Sequence, residues 1–144
     1  MNVYFTQIYI EVGVNFPFNH LFQRYLSKEI TALVEPSGKF ITKYGADFDL
    51  SLNVSAKKAI TDNEIWGPAV TKKAKRVGYT IFLPYAVIAL QDDINRSALQ
   101  FLFQGIYTVF EKLDIDPSRV MERQNALIDH VCADKTMTES PSQP

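Results

Sequence analysis

Cysteine occurs once in this chain, at Cys132, and histidine twice, at His20 and His130. One thiol cannot close an internal disulfide or build a multi-thiolate metal site, and such sparing use agrees with a reducing compartment. His130 and Cys132 stand two positions apart, which on a helix sends them to nearly opposite sides, so they make no catalytic dyad. Long apolar runs are also missing: Ala86 to Leu90 and Phe101 to Phe103 fall far short of the ~18 residues that cross a bilayer. The opening MNVYFTQIYIEV carries no basic stretch and no small-residue cleavage site, so the expected location is cytoplasmic, with no membrane partner. Glycine-rich phosphate loops, H-E-x-x-H, EF-hand and G-x-S-x-G patterns are absent. These gaps point to a protein without cofactor or metal, and not an enzyme.

What the chain does have is material for a core. Its 144 residues are 47% hydrophobic and include ten Phe, seven Tyr and one Trp, enough for one folded domain. We expect that domain over residues 1–133, with 134–144, rich in Ser, Thr and Pro, as a flexible tail. The net charge of -1 conceals a locally basic stretch at Lys72, Lys73, Lys75 and Arg76 and an acidic C-terminal third.

Alternation of Tyr4, Thr6, Ile8, Ile10, Val12 and Val14 with polar and aromatic neighbours predicts a first strand. Pro17, followed by Phe18, Phe22, Tyr25, Leu26, Ile30 and Leu33 at helical spacing, predicts a helix ending near Glu35-Pro36. Lys39 to Tyr44 and Asp47 to Val54 have strand composition and read as a hairpin about Gly45-Ala46. Glu64 to Thr71 and Val77 to Leu83 read as a second pair around the basic segment. Ile94 to Leu113 carries a wide apolar helical stripe. Asp116-Pro117 then starts another helix through Val131, with Asp116 as its cap. The expected fold is α+β: a largely antiparallel sheet of about five strands, with an N-terminal helix and a C-terminal helical hairpin packed on it.

Asp47 and Asp49 would leave one face of a strand with Cα atoms roughly 6.5 to 7 Å apart. There they could share a metal, divide acid and base roles, grip a basic partner, or simply face water. The basic turn, with Lys72, Lys73 and Arg76 near Trp66, Tyr79 and Phe82, could hold single-stranded nucleic acid. A chain that is not basic overall argues against that use, and a solvated turn is the simpler reading. Tyr44, Trp66 and Tyr79 are the aromatic anchors to test for a protein partner, although each also suits a core. A self-associating subunit, with Phe101 to Phe110 covered by a second copy, is a third possibility.

The segments E-V-G-V-N-F-P-F-N (Glu11–Asn19), Y-G-A-D-F-D-L-S-L-N-V-S-A-K-K (Tyr44–Lys58) and Y-T-I-F-L-P-Y (Tyr79–Tyr85) resemble parts of small cytoplasmic immunity proteins of bacterial polymorphic toxin systems, particularly contact-dependent growth inhibition. The resemblance spans residues 1–132 and implies a non-enzymatic inhibitor that binds a cognate toxin domain and occludes its active site or substrate surface. It carries no site over residue by residue. Immunity proteins that mask basic nucleases are often strongly acidic and this chain is nearly neutral, so local patches must steer the encounter. Asp47 and Asp49 are favoured slightly over the basic turn for that role. The alternative is a small nucleic-acid-binding protein or a metal-dependent enzyme centred on the basic turn or the Asp47/Asp49 pair.

Overall fold

The computed structural model describes residues 7–13, 20–89 and 94–134. Their elements run in the order β1 (Ile8–Val12), α1 (His20–Leu33), α2 (Gly38–Lys43), β2 (Asp49–Lys57), β3 (Glu64–Thr71), β4 (Arg76–Pro84), α3 (Tyr85–Ala89), α4 (Ile94–Lys112) and α5 (Ser118–Ala133). The architecture is α+β around one mixed sheet of order β1-β2-β4-β3. The expected positions within Tyr4–Thr6, Pro17-Phe18 at the first helix entry and the tail from Lys135 lie outside the described residues.

Two expectations about the sheet are corrected. Residues 39–44 are not a strand: the Ser37 hydroxyl accepts from the Phe40 amide (3.0 Å) and donates to the Leu113 carbonyl (2.6 Å), capping the short helix α2 and drawing Phe40 into the core. Among the described residues the sheet therefore has four strands rather than five. Nor is it largely antiparallel, because β1 pairs parallel to β2, β2 parallel to β4, and only β3 with β4 is antiparallel. A helix between β1 and β2 makes a crossover, which returns the chain in the same direction. The tight turn at Lys72–Lys75 makes the expected β3–β4 hairpin, but β4 inserts beside β2 and displaces β3 to the rim.

Alternation sends Ile8 and Ile10, Leu50, Leu52 and Val54, and Val77, Tyr79, Ile81 and Leu83 to one buried face. Against it pack α1 and α4, with α5 contacting both helices. The apolar stripe of α4 packs on the sheet as expected, and the third possibility, a second copy covering Phe101 to Phe110, finds it largely occupied: Leu102, Phe103, Ile106, Val109 and Phe110 are fully buried. Gly105 lies so close to β4 that a Cβ there would meet Ile81 Cγ2 at 2.4 Å. The hairpin of α4 and α5 is as expected, tied by Arg96 to Asp129 (2.6 Å) and Tyr107 to Gln124. The cap expected at Asp116 is displaced by one residue: α5 starts at Ser118 with Pro117 at the N-cap and no side-chain bond from it, while Asp116 accepts from the Ser118 amide (3.0 Å) and so still satisfies one helix-start donor. His130 stacks on Tyr25 with ring centroids 4.4 Å apart, joining α5 to α1. Among the described residues no helix is long and apolar enough to cross a membrane.

Helix α1 does a second job at the rim. The outward amides of β1 are met in turn by α1 side chains: Val12 N–H donates to Gln23 Oε1 (3.0 Å), Ile10 N–H to Ser27 Oγ (2.9 Å) and Ile8 N–H to Thr31 Oγ1 (3.0 Å). Four helical residues rise about 6 Å and two strand residues about 6.6 Å, so positions 23, 27 and 31 keep step with 12, 10 and 8. The polar stripe lies beside the apolar stripe of Phe22, Leu26 and Ile30, and one helix thereby both fills the core and seals a strand edge.

Candidate functional site

The helices of the described residues cover one face of the sheet, leaving the other to side chains of the opposite parity. On it the register sets Asp49 beside Arg76, then Tyr9, Ser51, Gly78 and Ala69 in a row, then Glu11, Asn53, Thr80 and Trp66, then Ser55, Phe82 and Glu64. The middle is short and polar. Larger groups gather at the two ends.

At one end Trp66 is 57% exposed yet held on several sides. Phe82 meets it edge-on with centroids 5.2 Å apart, and Lys57 Nζ sits 4.9 Å above the indole while bonding Glu64 Oε2 at 2.7 Å. That bond from Lys57 holds the Glu64 carboxyl below its usual value, helped by one from the Trp66 side chain. Lys58 lies over the exposed Tyr85 ring nearby, at 5.5 Å. The backbone aims Trp66 here. Between Trp66 and Ala69 the pairing with Thr80 and Gly78 shifts by one residue, a bulge that re-aims side chains. Without it Trp66 would alternate onto the core side. Gly67 makes the bulge with φ 139°, and a Cβ on it would strike the Tyr79 ring at 2.8 Å.

At the other end the Arg76 guanidinium crosses β2 to lie 4.6 Å from the Tyr9 ring centroid, and beneath this span Ser51 is only 4% exposed. Burial pushes the Asp49 carboxyl up, with Arg76 and a backbone hydrogen bond at Gln7 pulling the other way. Asp49 Oδ1 and Arg76 Nε are both buried without a hydrogen-bond partner.

Several expected site residues are brought together and others separated. Asp47 and Asp49 do not share a strand face: the strand begins at Asp49, and Asp47 sits in the preceding turn, exposed and bonded to Lys75 (2.6 Å). That bond is the leading reason the Asp47 carboxyl lies low and the Lys75 ammonium high. Lys72 and Lys73 are exposed in the β3–β4 turn, so the basic segment divides into two free lysines, one paired lysine and Arg76 laid across the sheet. Tyr79 points into the core at 4% exposure, and Tyr44 is half-buried between Phe40 and Phe48. Neither sits on the open face. Tyr9, Lys57, Glu64 and Tyr85 were not singled out from sequence; a cross-strand reading of the hairpin would have paired Glu64 with Phe82 only if the bulge were known.

Among the described residues no three His, Cys, Asp or Glu side chains gather as a metal site. Burial pushes the Cys132 thiol up, away from the thiolate needed for reactivity. A groove of about 630 Å³ runs between β1 and α1, with Tyr9, Glu11, Arg24 and Lys28 on its walls; its floor is the sealed strand edge, whose amides are already bonded. Comparison with protein-family models, curated proteins and solved structures returns no match to this chain.

Proposed function

We propose that this chain is an immunity protein: a cytoplasmic, non-enzymatic inhibitor that binds a cognate bacterial toxin domain and occludes its active site or substrate surface. The observation that carries the reading is Trp66, exposed on the sheet face that no helix of the described residues covers, yet pinned by Phe82, Lys57 and Glu64. A large aromatic already fixed in one orientation loses little freedom on binding, and such anchors dominate protein interfaces. The expected enzyme alternative gains no support from Asp47, which is turned away from Asp49 and engaged with Lys75. Co-expression with the toxin domain encoded beside this gene tests the proposal. Growth protection and a stable complex are expected, both lost in Trp66→Ala; no binding at micromolar concentration would refute it.

The second reading, single-stranded nucleic-acid binding, draws on Lys57 and Lys58 beside Trp66, Phe82 and Tyr85, since cations and exposed rings on a sheet suit phosphates and stacked bases. A labelled oligonucleotide titrated at low salt separates it from the first, with quenching of Trp66 fluorescence as the signal.

A further inference from the structure

We infer that the partner meets the open sheet face at two points, laying an apolar side chain against Trp66 and a carboxylate-bearing patch against Arg76, Lys72 and Lys73. The inference rests on the immunity-protein reading and names the surface chemistry of the toxin, which that reading leaves open.

The two points differ in kind. Trp66 offers an apolar plane whose orientation is set by the Gly67 bulge and by Phe82. Arg76 lies four residues from Thr80, the cross-strand neighbour of Trp66, which places the cationic end about 13 Å along β4 from the indole. Between them Gly78 and Ala69, with Asn53 and Thr80 in the next row, are short residues over which a protruding loop or helix of the partner can settle, while Ser51 beside them is already covered by the Arg76–Tyr9 span. Burial of such a floor adds contact area without a large entropic cost, because short side chains have little rotamer freedom to lose.

Charge fixes the partner's sign. Lys75 is matched by Asp47, whereas Lys72 and Lys73 form no ion pair among the described residues and Arg76 is stacked on Tyr9. Asp49 is the acid closest in register, so the end as a whole is positive. A guanidinium held over a ring is preorganised, and because Arg76 Nε is buried it is the terminal Nη groups that would meet a carboxylate. The outer surface of α4 and α5 carries both signs, with Glu111, Asp114, Asp116, Glu122 and Asp129 exposed beside Arg96, Lys112, Arg119 and Arg123, and Arg96 paired with Asp129. The excess of positive charge at Lys72, Lys73 and Arg76 favours an acidic partner at this end of the sheet, whereas the mixed charges of the helices offer it no comparable patch.

The test titrates the toxin domain encoded beside this gene into the full chain by calorimetry at 50 and 500 mM salt, the concentrations being nominal settings spanning about a tenfold range of screening. Trp66→Ala should weaken binding about 100-fold or more and Trp66→Phe much less. Replacing Lys72 and Lys73 together by Gln, on exposed turn positions where folding is not at stake, should weaken binding about 10-fold and flatten its salt dependence; Arg76→Gln should add to this loss. Met121→Asp, on the exposed face of α5, should change nothing, and circular dichroism confirms that each variant folds. Affinity lost in Met121→Asp but kept in the sheet variants overturns the inference while leaving the immunity reading standing. Salt dependence untouched by removing the lysines overturns the acidic partner. Failure of the wild-type chain to bind overturns both, and binding of a 20-mer of deoxythymidine in its place assigns the face to single-stranded nucleic acid.

Discussion

Ser27→Ala puts the sealing of β1 to a direct test. The Ser27 hydroxyl is 7% exposed and accepts the Ile10 amide at 2.9 Å, and Ile10 itself is 2% exposed. Removing the oxygen leaves that amide facing a methyl group where solvent has little access, a loss of about 1 to 3 kcal/mol for an unsatisfied buried donor. Alanine returns about 0.5 kcal/mol of helix propensity, so the net cost is about 0.5 to 2.5 kcal/mol. For a domain of this size that is a fall in Tm of about 2 to 8 °C. Urea unfolding measures the first quantity, and hydrogen exchange at the Ile10 amide reports whether the loss is local. Thr31→Val removes the neighbouring acceptor of Ile8 while keeping the side-chain shape, and should behave alike. With both changes and Gln23→Ala combined, the bare edge should associate with a second copy in a concentration-dependent way visible by light scattering. Unchanged stability together with unchanged Ile10 protection in Ser27→Ala would refute the reasoning.

Other outcomes follow from single contacts. Gly105→Ala must displace Ile81, since the added carbon would lie 2.4 Å from its Cγ2, and a loss of about 1 to 3 kcal/mol is expected in urea unfolding. Gly67→Ala meets both a positive φ and the Tyr79 ring; it should destabilise by more than about 1 kcal/mol, and reduce partner affinity as Trp66 shifts. Asp47→Asn breaks an exposed ion pair and should change stability by less than about 1 kcal/mol. The Tyr107 hydroxyl is pushed up to about 12 by burial. Its folded value exceeds the ordinary 10.0, so the stability it contributes is complete below that pH and is lost as pH climbs toward 12. Alkaline denaturation of Tyr107→Phe should lack this component of the decline.

Strong periodicity was legible and long-range pairing was not. The alternation about Ile8 and Ile10, the hairpin joining β3 to β4 and the apolar stripe of α4 each depend on neighbours within a few residues, and each appears where the sequence puts it. The stretch Lys39 to Tyr44 failed because its β-formers were outweighed by one capping hydroxyl, Ser37, whose second bond goes to Leu113 in a distant part of the chain. Strand direction failed for a similar reason. Nothing local in Asp49–Lys57 distinguishes a hairpin partner from the second strand of a crossover, and the insertion of β4 beside β2 is a tertiary choice. At the candidate site, Trp66 and Arg76 were named from composition, but their common face follows from a bulge. One extra residue at Gly67-Pro68 reverses the side to which Trp66 points, and period-two counting across that dipeptide assigns it wrongly.

The same bulge bears on why the proposed contact uses the face rather than an edge of the sheet. A sheet ordinarily invites partners along its rims, where amides and carbonyls stand unpaired. Here β1 spends its outward amides on Gln23, Ser27 and Thr31. The β3 rim is interrupted by Pro68, which has no amide to give, and by the register shift beside it. Isolated exposed apolar residues are common on protein surfaces and imply no function by themselves. Trp66 differs because the fold commits a glycine of unusual φ, a strand irregularity and three neighbouring side chains to its orientation, although its own exposure means that it contributes little to the core. Local structure that constrains a side chain without burying it is better accounted for by what that side chain meets in a complex than by what it does for folding.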